Sequence, residues 1–194
     1  RRHAMTRIIF GCVLLHVAAA LEVTPSAKTL GRRGALVSAF SSSLALVAAP
    51  SAALEKKLKL SDAELAKTVT ADVVERQFLA TADFTRALFS EDCTFTDEID
   101  TYTLDKFVAG TQKLFDASKS KVELTSPVVV TKEKATFAFQ ETLCFNIPVL
   151  KPVVALSGKV ELTRDPDSGL FSSYREYWDQ SPTQVVLTAF SPKS

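Results

Sequence analysis

Histidine is almost missing from this chain: of 194 residues only His3 and His16 carry an imidazole. Both precede residue 54, so the rest of the chain cannot use an imidazole as a general base, an acid or a zinc ligand. Glycine is scarce too, with six residues, and nowhere takes the spacing of a P-loop or a dinucleotide fingerprint. No metal-ligand spacing is present either, so neither a cofactor nor a metal is expected. Three cysteines are too few for a disulfide framework. Cys93 and Cys144 follow residue 53, and their spacing leaves open whether they pair; two buried free thiols are the simpler expectation. The hydrophobic fraction of 46% and charged fraction of 23% are those of a globular protein, not of a disordered tail.

Charge divides the chain. Before Leu54 stand Arg1, Arg2, Arg7, Lys28, Arg32 and Arg33 against the single acid Glu22, whereas the remainder is mildly acidic. Together with the lack of a basic patch interleaved with aromatics, this argues against nucleic acid as a partner. Arg1 to Ala4 precede the only Met, Met5, and are expected to lie upstream of the true start. From Met5, Arg7 leads into the apolar run Ile8 to Ala20, of a length and ending that suit a secretory signal. Thr24 to Gly31 is polar and free of acids, like a transit peptide. Arg32-Arg33 then opens a second apolar run, Ala35 to Ala49, closing on Pro50-Ser51-Ala52-Ala53. Paired arginines, a modest apolar stretch and a small-residue end are the parts of a twin-arginine export signal. Ser41-Ser42-Ser43 makes this run a poor bilayer span. The tandem order resembles the targeting of proteins to the thylakoid lumen of algae with secondary plastids. The expectation is a presequence over 1–53, cleaved after Ala53, a domain over 54–194, and no membrane span in the mature chain.

Within that domain, Ser61-Asp62-Ala63-Glu64 is a capping box, and Leu65, Val69, Val73 and Phe78-Leu79 follow at helical spacing, predicting one long helix. Asp83 is expected to cap a short helix carrying Phe84, Leu88 and Phe89. Cys93 to Glu98 alternates as a brief strand, and Thr103 caps a third helix with Leu104, Phe107, Val108, Leu114 and Phe115 on its apolar stripe. After Lys119 the character changes. Val122 to Val130, Ala135 to Ile147, Val153 to Arg164, Leu170 to Trp178 and Val185 to Phe190 are rich in β-branched and aromatic residues, and read as strands.

The fourth of these, behind the turn Asp165-Pro166-Asp167-Ser168-Gly169, holds the only Trp and two of the three Tyr. Alternation puts Tyr174, Glu176 and Trp178 on one face, and Phe171, Ser173, Arg175 and Tyr177 on the other. Phe137, Phe139, Glu141, Leu143 and Phe145 share a face of the strand before. Glu141 thus sits among apolar neighbours, where burial would raise its pKa and suit it to proton transfer. The competing reading makes it a solvated strand-end residue, or a partner for Arg175 or Lys159. Asp97, Glu98, Asp100 and Tyr102 cluster before the third helix, without the spacing of a calcium loop.

Helices followed by a run of antiparallel strands is an α+β pattern. The order resembles the cone-shaped nuclear-transport-factor-2-like (NTF2-like) superfamily, in particular its SnoaL-like branch. The residues that carry the resemblance are Leu88 to Asp97, the helix with Phe107 and Leu114, and Asp167 to Leu170 through Tyr177-Trp178-Asp179. Glu98 stands where members often have Pro. The resemblance implies N-terminal helices packed on a curved antiparallel sheet around a conical cavity, lined here by Tyr102, Phe137, Phe139, Glu141, Tyr174, Glu176 and Trp178. Superfamily enzymes, among them ketosteroid isomerases, polyketide cyclases and scytalone dehydratases, work in that cavity with an Asp or a His–Asp pair, often with Tyr. Without His, the expected role is a non-catalytic lumenal protein that binds a small hydrophobic ligand or docks on a photosynthetic complex. The alternative is an isomerase- or hydrolase-like enzyme using Glu141 or Glu176 with Tyr174. A homodimer through the sheet, with Val153 to Leu156 as an apolar strand, is a further expectation.

Overall fold

The computed structural model describes residues 55–189; the expected presequence and Phe190 lie outside them. Helix α1, Asp62–Val74, starts on the anticipated capping box, with the Ser61 hydroxyl accepting from the Glu64 N–H and the Glu64 side chain reaching back to the Ser61 N–H. It buries Leu65, Val69 and Val73, each stabilising by roughly 1.5–3 kcal/mol. The predicted continuation through Phe78-Leu79 is interrupted. Gln77 takes a left-handed conformation (φ 58°), and Phe78–Thr81 forms a separate single-turn helix, α2. The break frees the Gln77 side chain to bond both backbone groups of Val122, accepting at 2.7 Å and donating at 3.1 Å. Helix and sheet edge are thereby tied together.

The expected Asp83-capped helix is also replaced. Thr85 gives its N–H and hydroxyl to the buried Asp72 carboxylate, each at 2.9 Å, a 3₁₀ turn spans Arg86–Leu88, and Phe89 already belongs to strand β1, Phe89–Thr96. Strand β2, Thr101–Thr103, leads into α3, Leu104–Leu114, capped by Thr103 as predicted. The apolar stretch 122–130 is two strands, β3 (Lys121–Leu124) and β4 (Val129–Val130), parted at Ser126-Pro127 because Pro cannot donate to a ladder. The long strands β5 (Lys134–Cys144), β6 (Val153–Arg164) and β7 (Phe171–Trp178) follow. The last predicted strand is instead helix α4, Pro182–Thr188. Ser181-Pro182-Thr183-Gln184 is a second capping box with Pro in the first turn, and it overrides the β-branched pair Val185-Val186.

The sheet runs β2-β1-β7-β6-β5-β3, with β4 beside β5. All pairs are antiparallel except β1 with β7. Helix α1 covers β3 and β4, and α3 covers β1 and β2, so the helices occupy one face of a curved, unclosed sheet. A register shift between Thr163 and Arg164 changes the alternation on β7. Phe171, expected on the outer face with Ser173, is fully buried and packs its ring 5.3 Å from that of Phe89.

Candidate functional site

Between α3, α4 and the β5–β7 half of the sheet lies a cavity of about 140 Å³. Its walls are mainly apolar: Leu79, Phe107, Leu114, Phe115, Leu143, Phe145, Val154, Leu156 and Val185. The polar exceptions include Asp97, Tyr102, Lys106, Glu141, Tyr174, Glu176 and Trp178. The strands β5, β6 and β7 set the two glutamates in place. Glu141 pairs with Leu156 of β6, Glu176 with Val160, and Gly158 lies between those β6 positions. A Cβ on Gly158 would fall 2.1 Å from the Tyr177 carbonyl oxygen. The middle strand therefore has no side chain there, and nothing from it stands between the two carboxyls. A lone glycine inside a strand pattern was the available signal for this close approach; sequence reasoning missed it.

Glu176 is held from both sides. Its Oε2 accepts from the Tyr174 hydroxyl and its Oε1 from the Trp178 indole N–H, each at 2.5 Å. Burial pushes its pKa up to about 7, against the pull of those two hydrogen bonds. Glu141 is different. It is buried, its Oε2 has no hydrogen-bond partner, and burial, with the Glu176 charge beside it, holds its carboxyl well above the usual range. Burial and the neighbouring Glu176 charge likewise drive the Tyr174 hydroxyl far above a free tyrosine. Burial thus biases Glu141 toward its neutral form, the form that can donate, while Glu176 titrates near neutrality and Tyr174 stays protonated.

The rim is fixed by one cation. The Arg175 guanidinium donates to the Asp97 carbonyl and pairs with Glu98 at 2.8 Å, while stacking on Tyr177 at 4.8 Å on the outer face. Glu98, in the position where the resemblance led one to look for Pro, is the arginine's anchor. The Asp97 carboxylate caps its own turn by accepting from the N–H groups of Ile99 and Asp100, and burial raises its pKa. Arg175 and Lys159 are thus engaged elsewhere, Lys159 with Glu161, and Glu141 has neither as a partner.

Of the residues chosen from the sequence, Tyr102, Glu141, Tyr174, Glu176 and Trp178 line the cavity. Phe137 and Phe139 do not. They lie further along the same face of β5, at the end covered by α1, where the hydrophobic core fills the space. Lys106, Phe107 and Leu114 of α3, and Val185 of α4, are lining residues that sequence reasoning did not assign to the site. Cys93 and Cys144 are both buried and free, and burial pushes the Cys93 thiol up to about 12, which makes it inert. Among the described residues no three His, Cys, Asp or Glu side chains are grouped as a metal would require.

No family model matches the chain, and no curated protein is similar enough in sequence to count as a match. Similarity appears at the level of structure. A SnoaL-like protein assigned as a polyketide cyclase, from Jannaschia sp. CCS1, is 13% identical with a TM-score of 0.51, over 72% of this chain and 99% of its own. An NTF2-like protein from Burkholderia thailandensis E264 is 12% identical with a TM-score of 0.50, over 69% and 100%. The fold is therefore the NTF2-like cone. One of these two is described by a catalytic activity and the other by its fold alone, so what this chain does must be argued from its own cavity.

Proposed function

We propose that this protein binds, in its cone, a small and mainly apolar molecule bearing one oxygen acceptor, with Glu141 as the hydrogen-bond donor. One observation carries the reading: Glu141 Oε2 is buried, without a partner, on the wall of an apolar cavity. A buried polar atom left unpaired is costly, and a ligand oxygen would relieve that cost. A hollow of about 140 Å³ is close to the roughly 150 Å³ that accepts a single benzene-sized ring. That size favours a one-ring molecule over a larger ligand enclosed whole. Trp178, the only Trp in the chain, lines the cavity and serves as the reporter. Titration with cyclohexanone and with methylcyclohexane, followed by its emission, should show a ketone-to-hydrocarbon affinity ratio about tenfold higher in the parent protein than in Glu141→Leu, the value of one good hydrogen bond. The comparison between the two proteins cancels the different costs of taking the two compounds out of water. An unchanged ratio would sink the proposal.

A second reading, an isomerase- or hydrolase-like enzyme, is favoured by the unequal states of the two carboxyls. A base near pKa 7, with both oxygens held in place, next to a carboxyl that burial biases toward its neutral form is the arrangement proton transfer needs. On a ketone, Glu176 would take an α-hydrogen as a proton. The C–H electron pair would become the enol double bond, and Glu141 would give its proton to the carbonyl oxygen. Exchange of the α-hydrogens of cyclohexanone in heavy water, faster than in buffer and lost in Glu176→Gln, would support it. No exchange above buffer would leave binding alone.

The site of action is proposed on the presequence pattern: the thylakoid lumen, with the ligand or a photosynthetic complex met there. Sequencing the N-terminal residue of the protein from its native compartment tests this, a start near Leu54 being the expected result.

A further inference from the structure

Opposite α1, the sheet ends in a hairpin tip that the fold leaves uncovered. Strands β5 and β6 are joined by 145–152, closed by the Phe145 N–H on the Pro152 carbonyl. At its apex Val149 is 98% and Leu150 77% exposed, the two most exposed large apolar side chains among the described residues. Val149 has φ 72° and Lys151 φ 41°. The left-handed region is disfavoured for a β-branched residue, and here it is held by Leu150 N–H on Pro148 O and Lys151 N–H on Ile147 O. The base is anchored: Phe145 packs on Phe115 at 5.3 Å, and Asn146 N–H bonds the Leu114 carbonyl. This presents an apolar point on a rigid stem.

The surroundings of that point are basic. Lys151 binds Asp116 at 3.0 Å and Asn146 at 2.8 Å, and Lys119 approaches the same carboxylate at 4.0 Å. Lys113 sits one residue before Leu114 in the last turn of α3 and forms no ion pair among the described residues. Two lysines thus meet Asp116 at the tip's base, and a third, Lys113, adjoins the residue whose carbonyl holds Asn146. An apolar point within a cationic collar complements a surface with anionic headgroups over hydrocarbon. A groove on another protein would be met by the apolar pair without needing the collar.

We propose that the Val149-Leu150 tip inserts into the interface of an anionic lipid bilayer, with Lys113, Lys119 and Lys151 against the headgroups. The contact is reversible, since two apolar side chains anchor far less than an acyl chain. It stands whether or not the cavity is occupied.

Depth at residue 150 is the readout, because the apolar runs before residue 54 could by themselves bring the full chain to a vesicle. In the full chain, Trp178→Phe with Leu150→Trp places the only indole at the tip. Trp178→Phe with Val129→Trp places it at the other end of β5, an 11-residue strand of roughly 35 Å. Vesicles of phosphatidylcholine and phosphatidylglycerol with brominated acyl chains should quench and blue-shift the tip indole but not the distal one. Pure phosphatidylcholine, or Val149→Asp, should raise the lipid concentration for half-quenching about tenfold. An unquenched tip, which is also what a protein-docking tip would give, overturns the proposal. So does equal quenching at residue 129, or equal quenching on neutral vesicles.

Discussion

One face of β5 runs through two different interiors. Ala135, Phe137 and Phe139 belong to the hydrophobic core shared with α1 and are almost fully buried by protein atoms. Glu141, Leu143 and Phe145, continuing the same alternation, line the cavity. The strand is the same and the period is the same; only the cover differs. At one end α1 lays Leu65, Val69 and Val73 over the sheet. At the other, Phe107 and Leu114 of α3 and Phe115 just after it are only half-buried because they look into the hollow. An apolar stripe therefore marks the side of the sheet that faces the helices, without telling packed protein from cavity wall. A carboxyl tolerated among phenylalanines is the better sign of the hollow.

The comparison breaks most sharply by truncation. Phe139→Ala removes a ring from filled space and should cost about 3–5 kcal/mol in denaturant unfolding. Leu143→Ala only enlarges an existing hollow and should cost about 2 kcal/mol, the low end for such a change. Equal losses would mean the hollow is closed in solution.

Acidity should separate the two ends next. Glu176 has a folded pKa of about 7, above its unfolded value, so between roughly pH 4.5 and 7 the folded state binds the extra proton. Stability should thus fall as pH rises through that window, by about 2–3 kcal/mol, and level off above it. Glu141, raised for the same reason of burial, adds to the slope. Carboxylates lowered by their partners, such as Glu91 and Glu161, act oppositely, losing their contribution only as pH falls through their depressed values. Melting temperatures from pH 4.5 to 8 should therefore decline. A flat or rising profile would contradict the buried pair.

Substituting the two acids should have opposite signs at pH 8. Glu141→Leu removes an unpartnered buried carboxyl and should stabilise by about 1–2 kcal/mol. Glu176→Leu strands the Tyr174 hydroxyl and the Trp178 N–H and should destabilise by about 2 kcal/mol or more. The same sign for both would show that they are equivalent. The smallest expected effect is at the cover of the packed end. Ser61→Ala, removing the α1 cap, should cost about 1 kcal/mol in thermal unfolding and leave ligand titration unchanged.

Much of this is legible in the amino-acid sequence. Both interior-facing triads on β5 follow from alternation, and Tyr174, Glu176 and Trp178 do share the side of β7 facing the helices. The caps at Ser61 and Thr103 fixed two helix starts. What failed did so for local reasons: the left-handed Gln77 that ends α1, the irregularity that turns Phe171 inward, and the Pro-containing capping box that makes Val185 helical. The pairing of Glu141 with Glu176 needed the register across β6, and that depends on Gly158, whose significance is a backbone distance and not a side-chain pattern.

The place of β7 in the sheet has a kinetic corollary. It is the final strand among the described residues, yet it lies between β6 and β1, bonding the latter in parallel. Until it arrives, β1 and β2 have no sheet to join, and the loop to be closed spans some eighty residues by sequence. A nascent chain would therefore hold an open edge and no cavity at all. Maturation should be slow, all-or-none, and completed only once the C-terminal residues are free to move.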